Sequence, residues 1–393
     1  MIKPILLEKR AISIVVKTQL EKDIDILNSI EELKELSRLC KIETVDYMIQ
    51  RMEKINFSHY IGKGKIEELK EKIKKLEIDI VIVDSELTNI QMKNLGEELG
   101  IKVIDRTAII LDVFYQAAKT KETKLLFEIA KLRYRILRCN EDKKELLKEK
   151  LNYLQKELNE IDKHYEILKE NRRKSTIPVV AIVGYSNVGK SSILNILAHE
   201  NIYVEDKLFA TMDPTTRLVT LPSKGEVLFT DTVGFIRKLP NNLLNLFHIS
   251  IAEIKNADVV IHAIDISAKD FNEKKQVVDD TLDYLGVDKS KIIQVFNKID
   301  LVDEINSENE ESILISIKEN IGVDRLLIEV ESMLRSRLEN IELLIPYKNT
   351  DILATIYANG EDISEDYKEL GVYVKGYIKK EKLYLVKKYF VKK

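Results

Sequence analysis

Long apolar runs are missing from this chain, and so are the cysteine and histidine groupings that disulfide and transition-metal chemistry need. No apolar stretch approaches the length of a membrane-spanning helix. The opening MIKPILLEKRAISIVV lacks the layout of a secretory signal, so the expected compartment is the cytoplasm. Cys40 and Cys139 lie far apart, and 5 scattered histidines offer neither a zinc spacing nor another metal cluster. Both cysteines read as buried thiols in a reducing compartment. An excess of one charge is missing too. With 63 basic against 66 acidic side chains the net charge is −3, which argues against capture of nucleic acid by the field of the whole molecule and leaves only a local patch. What is there is a globular composition, 45% hydrophobic and 33% charged, in a chain of 393 residues, enough for two or three domains with their own cores.

Residues 179–192 read VVAIVGYSNVGKSS. The β-branched run at 179–183 has the pattern of a buried parallel strand, and Ile193, Leu194, Ile196 and Leu197 carry helical spacing. Between them stand Gly184, Tyr185, Ser186, Asn187, Val188, Gly189, Lys190 and Ser191, a glycine-bounded loop ending in Lys-Ser. Strand, loop and helix in that order are what a phosphate-binding P-loop needs. Glycines let backbone N–H groups turn toward phosphate oxygens, and the helix N-terminus adds partial positive charge. Lys190 is expected to reach the β- and γ-phosphates, and the Ser191 hydroxyl to ligate Mg²⁺. The competing reading, a chance or degenerate glycine loop, sits badly with the flanking strand and helix.

Further segments follow in the order such a domain requires. A strand at 227–230 ends in Asp231, Thr232, Val233 and Gly234. The acid would hold Mg²⁺ and the Gly234 N–H would meet the γ-phosphate. After a strand at 259–264, another at 292–296 leads into Asn297, Lys298, Ile299 and Asp300, an NKxD arrangement. Asp300 can accept from both N1–H and the 2-amino group of guanine. Adenine lacks that donor pair, so GTP is expected over ATP. Ser316, Ile317 and Lys318 stand where such domains close over the base, with isoleucine in place of the usual middle alanine. The turn-rich loop FATMDPTTR at 209–217 lies where the first switch belongs and adds Phe209, Ala210, Thr211, Met212 and Asp213 to the candidate site. Thr211 is preferred as the third Mg²⁺ ligand beside Ser191 and Asp231, with Thr215 as the fallback. Phe235 stands where a water-orienting glutamine is common, so slow intrinsic hydrolysis is expected. Asn187 is a candidate for holding K⁺ beside the phosphates, with mere stabilisation of the loop as the alternative. The expected catalytic set is Lys190, Thr211, Gly234 and Asn187.

Elsewhere, residues 1–118 alternate strands (11–16, 78–83, 102–104) with helices (24–39, 65–76, 89–99), which argues for an α/β layer with a largely parallel sheet. The segment HYIGKGK at 59–65 is either a phosphate-binding turn or a capping turn with solvated lysines, the second being preferred. From 123 to 173, Leu125, Ile129, Leu132 and Ile136, then Leu147, Leu151, Leu154, Leu158, Ile161, Tyr165 and Leu168, form a heptad-like seam around a polar turn at 139–142. That predicts an antiparallel helical hairpin over 119–175. A basic cluster at 171–174 reads as an RNA contact or a solvated linker. The last stretch, 339–393, is expected to be a small α+β domain with strands at 343–345, 372–377 and 383–386 and a helix at 351–358. Its lysines (Lys379, Lys380, Lys387, Lys388, Lys392, Lys393) suit either RNA or protection of a sheet edge.

Together these segments resemble the HflX family of ribosome-associated GTPases. The resemblance rests on YIGKGKIEEL (60–69), IDRTAIILDVFYQAAKTKETKLLFEIAKLRYRI (104–136), GYSNVGKSS, FATMDPTTR, DTVGFIRKLP (231–240) and IPYKNTDILATIYANG (345–360). It implies a Ras-like P-loop GTPase domain (176–338) between an N-terminal α/β domain with its hairpin and the small C-terminal domain. It also implies a monomer that binds GTP and GDP with Mg²⁺, contacts rRNA and protein of the large ribosomal subunit, and splits or rescues ribosomes under stress. In this chain the hairpin turn, Arg138 to Lys143, is short and glycine-free where the family carries a glycine- and arginine-rich segment. A GTPase switch for a protein client and an NTP-driven RNA-remodelling enzyme are the alternatives.

Overall fold

Residues 9–18, 23–139, 141–173, 177–200, 208–209, 211–240, 243, 245–302 and 312–391 are described by the computed structural model. Its first sheet is parallel, ordered β2-β1-β3-β4. β1 (Lys9–Lys17) and α1 (Asp23–Leu39) are followed by β2 (Ile42–Arg51), α2 (Lys63–Leu76), β3 (Ile80–Val83), α3 (Asn89–Leu99), β4 (Lys102–Asp105) and α4 (Arg106–Ala117). Both faces of this sheet are covered, which is why its inner strands are near-continuous apolar runs. Ile12, Ile14, Val81 and Val83 pack against Leu69 of α2 and Leu95 of α3. On the opposite face Ala11, Ile80 and Ile82 pack with Leu33 and Leu36 of α1 and Ile110 of α4. Thr88 and Gln91 form a capping box at the start of α3, and Gly100 closes it in the left-handed conformation, as expected. In the segment 59–65, Gly62 stands at the N-cap of α2 without a side-chain cap; its N–H donates to Gln50 Oε1 at 3.0 Å, and Lys65 pairs with Glu68.

α5 (Lys121–Ile136) and α6 (Glu141–Arg173) make the hairpin. Leu125, Ile129 and Leu132 close on Leu154, flanked by Leu147, Leu151, Leu158 and Ile161. The side chains of Tyr165, Leu168 and residues 171–173 are not described, and Lys174, Lys392 and Lys393 lie outside the described residues. The far end of α5 is tied to the first sheet, where the Tyr134 hydroxyl donates to Asp105 Oδ1 at 2.7 Å and Arg138 donates to the Leu87 carbonyl at 2.8 Å.

The central sheet has six strands ordered β10-β9-β8-β5-β7-β6, all parallel except β6. Its elements are β5 (Val179–Gly184), α7 (Lys190–Leu197), β6 (Thr215–Thr220), β7 (Glu226–Asp231), α8 (His248–Asn256), β8 (Val259–Asp265), α9 (Phe271–Leu285), β9 (Ile292–Asn297), β10 (Ile313–Leu314) and α10 (Val323–Ser336). Beyond it, β11 (Leu338–Ile345), α11 (Asp351–Asn359), β12 (Gly360–Lys368), β13 (Gly371–Lys379) and α12 (Leu383–Val386) build an antiparallel sheet ordered β11-β13-β12. Two expectations are corrected here. Residues 383–386 are helical rather than extended, because Val386 is buried among Ile341, Leu343 and Ile356 from the helical side of the sheet. Residues 215–217 of the expected switch loop already belong to β6, paired with Asp231, Thr230 and Phe229.

One apolar cluster joins the first and central sheets. At its middle the ring of Phe114 (α4) stands 5.3 Å from Phe127 (α5), 4.6 Å from Phe209 and 5.1 Å from Phe247. The N-terminal unit and the central domain therefore share a core.

Candidate nucleotide site

The P-loop leaves β5 and enters α7 at Lys190. Close approach requires glycine at several places here, Gly189 and Gly234 among them. Gly189 has φ +95, and a Cβ there would lie 2.6 Å from Asn297 Nδ2; a Cβ on Gly234 would lie 2.7 Å from the Ser186 backbone and 2.9 Å from Lys190 Nζ. Asn297 and Gly234 can thus press against the loop from both sides. Asn297 donates to the Val188 carbonyl at 2.9 Å and accepts from the Ile317 N–H at 3.4 Å, joining the P-loop to the base-side loops. Lys298, itself left-handed at φ +67, donates to the Asn187 carbonyl at 3.2 Å and pairs with Asp265 at 2.6 Å. Asp300 accepts from Ser316 Oγ at 2.6 Å, with Lys318 Nζ at 3.9 Å, and the Ser316 bond holds its carboxyl below the usual range. Ile299 packs beneath with Ile264 and Phe296.

On the phosphate side, Ser191 Oγ lies 2.6 Å from Asp231 Oδ2 and 2.6 Å from Thr211 Oγ1. These are hard oxygen donors of the kind Mg²⁺ selects. Asp231 Oδ1 is buried with no hydrogen-bond partner among the described residues, so the carboxylate keeps a lone pair for a cation. Burial pushes the Asp231 carboxyl up, with Lys190 and Ser191 drawing it back. Burial also lowers the Lys190 ammonium to about 8, against the pull of Asp231, while its Nζ donates to the Tyr185 carbonyl at 3.0 Å. A cation at Asp231 and a phosphate at Lys190 would relieve both strains. Of the two candidate threonines only Thr211 joins this group; Thr215 Oγ1 reaches the Asp213 carbonyl at 3.5 Å.

The other expected site residues have these surroundings. Thr232 donates to the Ile182 carbonyl at 2.8 Å, and Val233, Met212, Phe209 and Phe235 are buried. Asn187 is exposed at φ +68 on the rim of a cleft of about 800 Å³ that α1 lines from the other side with Glu31 and Arg38. Ala210 lies outside the described residues. Asp213 gives its carboxylate to the start of α5, accepting from the Lys119 N–H at 3.0 Å, the Thr120 N–H at 3.2 Å, Thr120 Oγ1 at 2.7 Å and Thr123 Oγ1. Burial would raise that carboxyl, but the bonds from Thr123 and Thr120 hold it below its ordinary value.

Tyr185 also points away from the phosphates. Its hydroxyl donates to Glu32 of α1 and accepts the Arg237 N–H at 2.8 Å. Glu32 belongs to a buried ionic group unseen in the sequence. Arg106, 1% exposed, pairs with Glu32 and with Asp84 at 2.6 Å, and donates to the Arg237 carbonyl at 3.1 Å. Lys238 reaches Asp84 at 2.7 Å. Arg106 inside the apolar 104–114 stretch was the available clue, since a charge in such a run needs buried partners.

Comparison with known proteins adds two family models. One described as GTP-binding GTPase N-terminal matches residues 27–115, and one described as 50S ribosome-binding GTPase matches residues 179–298. The chain is 41% identical over 391 residues to GTPase HflX of Caldanaerobacter subterraneus subsp. tengcongensis, covering 94% of this chain and 90% of the relative. It is 37% identical to GTPase HflX of Lacrimispora saccharolytica, covering 95% of each, and 27% identical to that of Escherichia coli, covering 84% and 85%. A GTP-binding protein from Sulfolobus solfataricus solved with GDP aligns at 24% identity and a TM-score of 0.44, over 84% of this chain and 99% of that one. Likeness at this level, running through the nucleotide loops and the N-terminal unit alike, makes the chain a GTP-hydrolysing member of the HflX family.

Proposed function

We propose that this GTPase is a nucleotide-gated factor for the large ribosomal subunit, gripping it with GTP bound and releasing it after hydrolysis, with subunit splitting or rescue as the outcome. The observation that carries a gating role is that the segments around Thr211 and Gly234 are each bonded to parts of the chain outside the central domain. Asp213 holds α5, while Arg237 and Lys238 hold the buried group of α1, β3 and α4. A ligand shifts such an equilibrium only through different contacts with the two states, and the γ-phosphate supplies that difference. The ribosome as target is supported by the family description matched over 179–298.

In this reading Ser191, Thr211 and Asp231 would hold Mg²⁺, which would supply positive charge against the phosphates. Lys190 and the backbone N–H of Gly234 meet the terminal phosphates, and Asp300 selects guanine. Phe235 cannot orient water, so unstimulated turnover is slow, and Asn187 would hold K⁺, which would supply part of the missing positive charge. Among the described residues no helix is long and apolar enough to cross a membrane. The test is co-sedimentation with ribosomal subunits in a GTP analogue and in GDP at several salt concentrations. Analogue-dependent travel with the large subunit is expected, and equal or absent binding in both nucleotides would sink the proposal.

A further inference from the structure

Thr211 is flanked two residues away on each side by an anchor, and both anchors hold the same place. Phe209 is 3% exposed, its ring edge-on to Phe114 near the end of α4. Asp213 takes hydrogen bonds from Lys119, Thr120 and Thr123, where the chain turns from α4 into α5. Thr120 is also the N-cap of α5, its Oγ1 accepting the Thr123 N–H at 3.2 Å, and Thr123 is 9% exposed. Hydrogen bonds to a partly buried carboxylate are charge-assisted and directional. Thr211 thus has an anchored residue two positions to either side, and its own hydroxyl is set against Ser191.

We infer that Thr120 and Thr123, which belong to the hairpin, are positioning residues for GTP hydrolysis. They hold Asp213, and through it they keep Thr211 where it can meet the cation. The inference rests on the assignment of Thr211 to Mg²⁺, and it adds that the α4–α5 elbow decides how often that ligand is in place. The dependence runs both ways, because whatever withdraws Thr211 also pulls on the cap of α5.

The experiment measures steady-state GTP hydrolysis by the full chain as a function of Mg²⁺, together with GDP affinity and melting temperature. Thr123→Val keeps the side chain's shape and removes its hydroxyl. It is expected to lower kcat about tenfold, the scale of one charge-assisted hydrogen bond, and to raise the Mg²⁺ needed for half-maximal rate, with KM little changed. Thr123→Ser should restore both. Thr120→Asp retains a good N-cap but sets a carboxylate against Asp213, so it should reproduce the kinetic loss with α5 still capped. Combining Thr123→Val with Asp213→Asn should be no slower than Asp213→Asn alone, since that change already removes the charged acceptor of the Thr123 bond. If Thr123→Val lowers only the melting temperature, and Thr120→Asp leaves kcat and Mg²⁺ dependence unaltered, the elbow is a structural cap and the inference is overturned. Thr211→Ala tests the assignment beneath it. Unchanged hydrolysis there would remove the Mg²⁺ role of Thr211 and the inference with it, whereas impaired hydrolysis beside normal elbow variants would remove the inference alone.

Discussion

Arg106→Met isolates the buried ionic group between the N-terminal unit and the segment at Arg237 and Lys238. In the native chain the guanidinium faces Glu32 and Asp84 and donates to the Arg237 carbonyl, at 1% exposure. Removing it leaves Asp84 with Lys238 and Ser29, each at 2.7 Å, so that carboxylate stays compensated. Glu32 keeps the Tyr185 hydroxyl but loses its ion pair with the guanidinium. Breaking one side of a buried pair costs about 3–5 kcal/mol, and the partners that remain favour the lower end, about 3 kcal/mol. For folding units of this size that lowers the melting temperature by roughly 6–12 °C. Calorimetry of the purified chain without nucleotide measures it. Arg106→Met with Glu32→Gln should recover part of the loss, because the second change removes the stranded charge. Melting within about 2 °C of the native chain for Arg106→Met alone would refute the argument that this group holds the interface.

The remaining expectations concern the site and one thiol. Asp300→Asn offers a single acceptor in place of two, so GTP should weaken by on the order of a hundredfold and lose its advantage over ATP in competition binding; an unchanged preference would overturn the guanine assignment. Replacing K⁺ by Na⁺ should slow hydrolysis, and equal rates would remove the cation role of Asn187. Burial pushes the Cys40 thiol up from 9.0 to about 12, with Asp112 adding to it and Lys131 opposing. At pH 8 it should alkylate roughly a thousandfold more slowly than an ordinary thiol until the chain is unfolded. The sign for stability follows: the neutral thiol favours the fold below pH 9, and that contribution fades as pH climbs toward 12.

The central domain was legible because its chemistry is local. The loop at 184–191, the DTVG run at 231–234 and the NKxD run at 297–300 are each a few consecutive residues at a strand end, so each is readable by itself although the runs lie far apart. α4 was not legible because residues 106–114 are buried on nearly every side, and a helix with no polar face has no 3.6-residue signature. β2 failed for the opposite reason, being an edge strand with Ile42 and Met48 as its buried side chains and no clean alternation. The tetrapeptide LYLV at 383–386 is too short for periodicity to separate helix from strand. The bonds that turn Tyr185 and Asp213 away from the phosphates join residues 153 and some 90 positions apart, so no spacing rule reaches them.

α5 runs from one aspartate to another: Asp213 holds its first turn, and Asp105 accepts from Tyr134 near its last. A helix of 16 residues is about 24 Å long and stiff along its axis. It therefore serves as a connecting rod. A shift at the loop around Thr211 can be carried along it to the rim of the first sheet, so the far face of the molecule has a mechanical link to the nucleotide site.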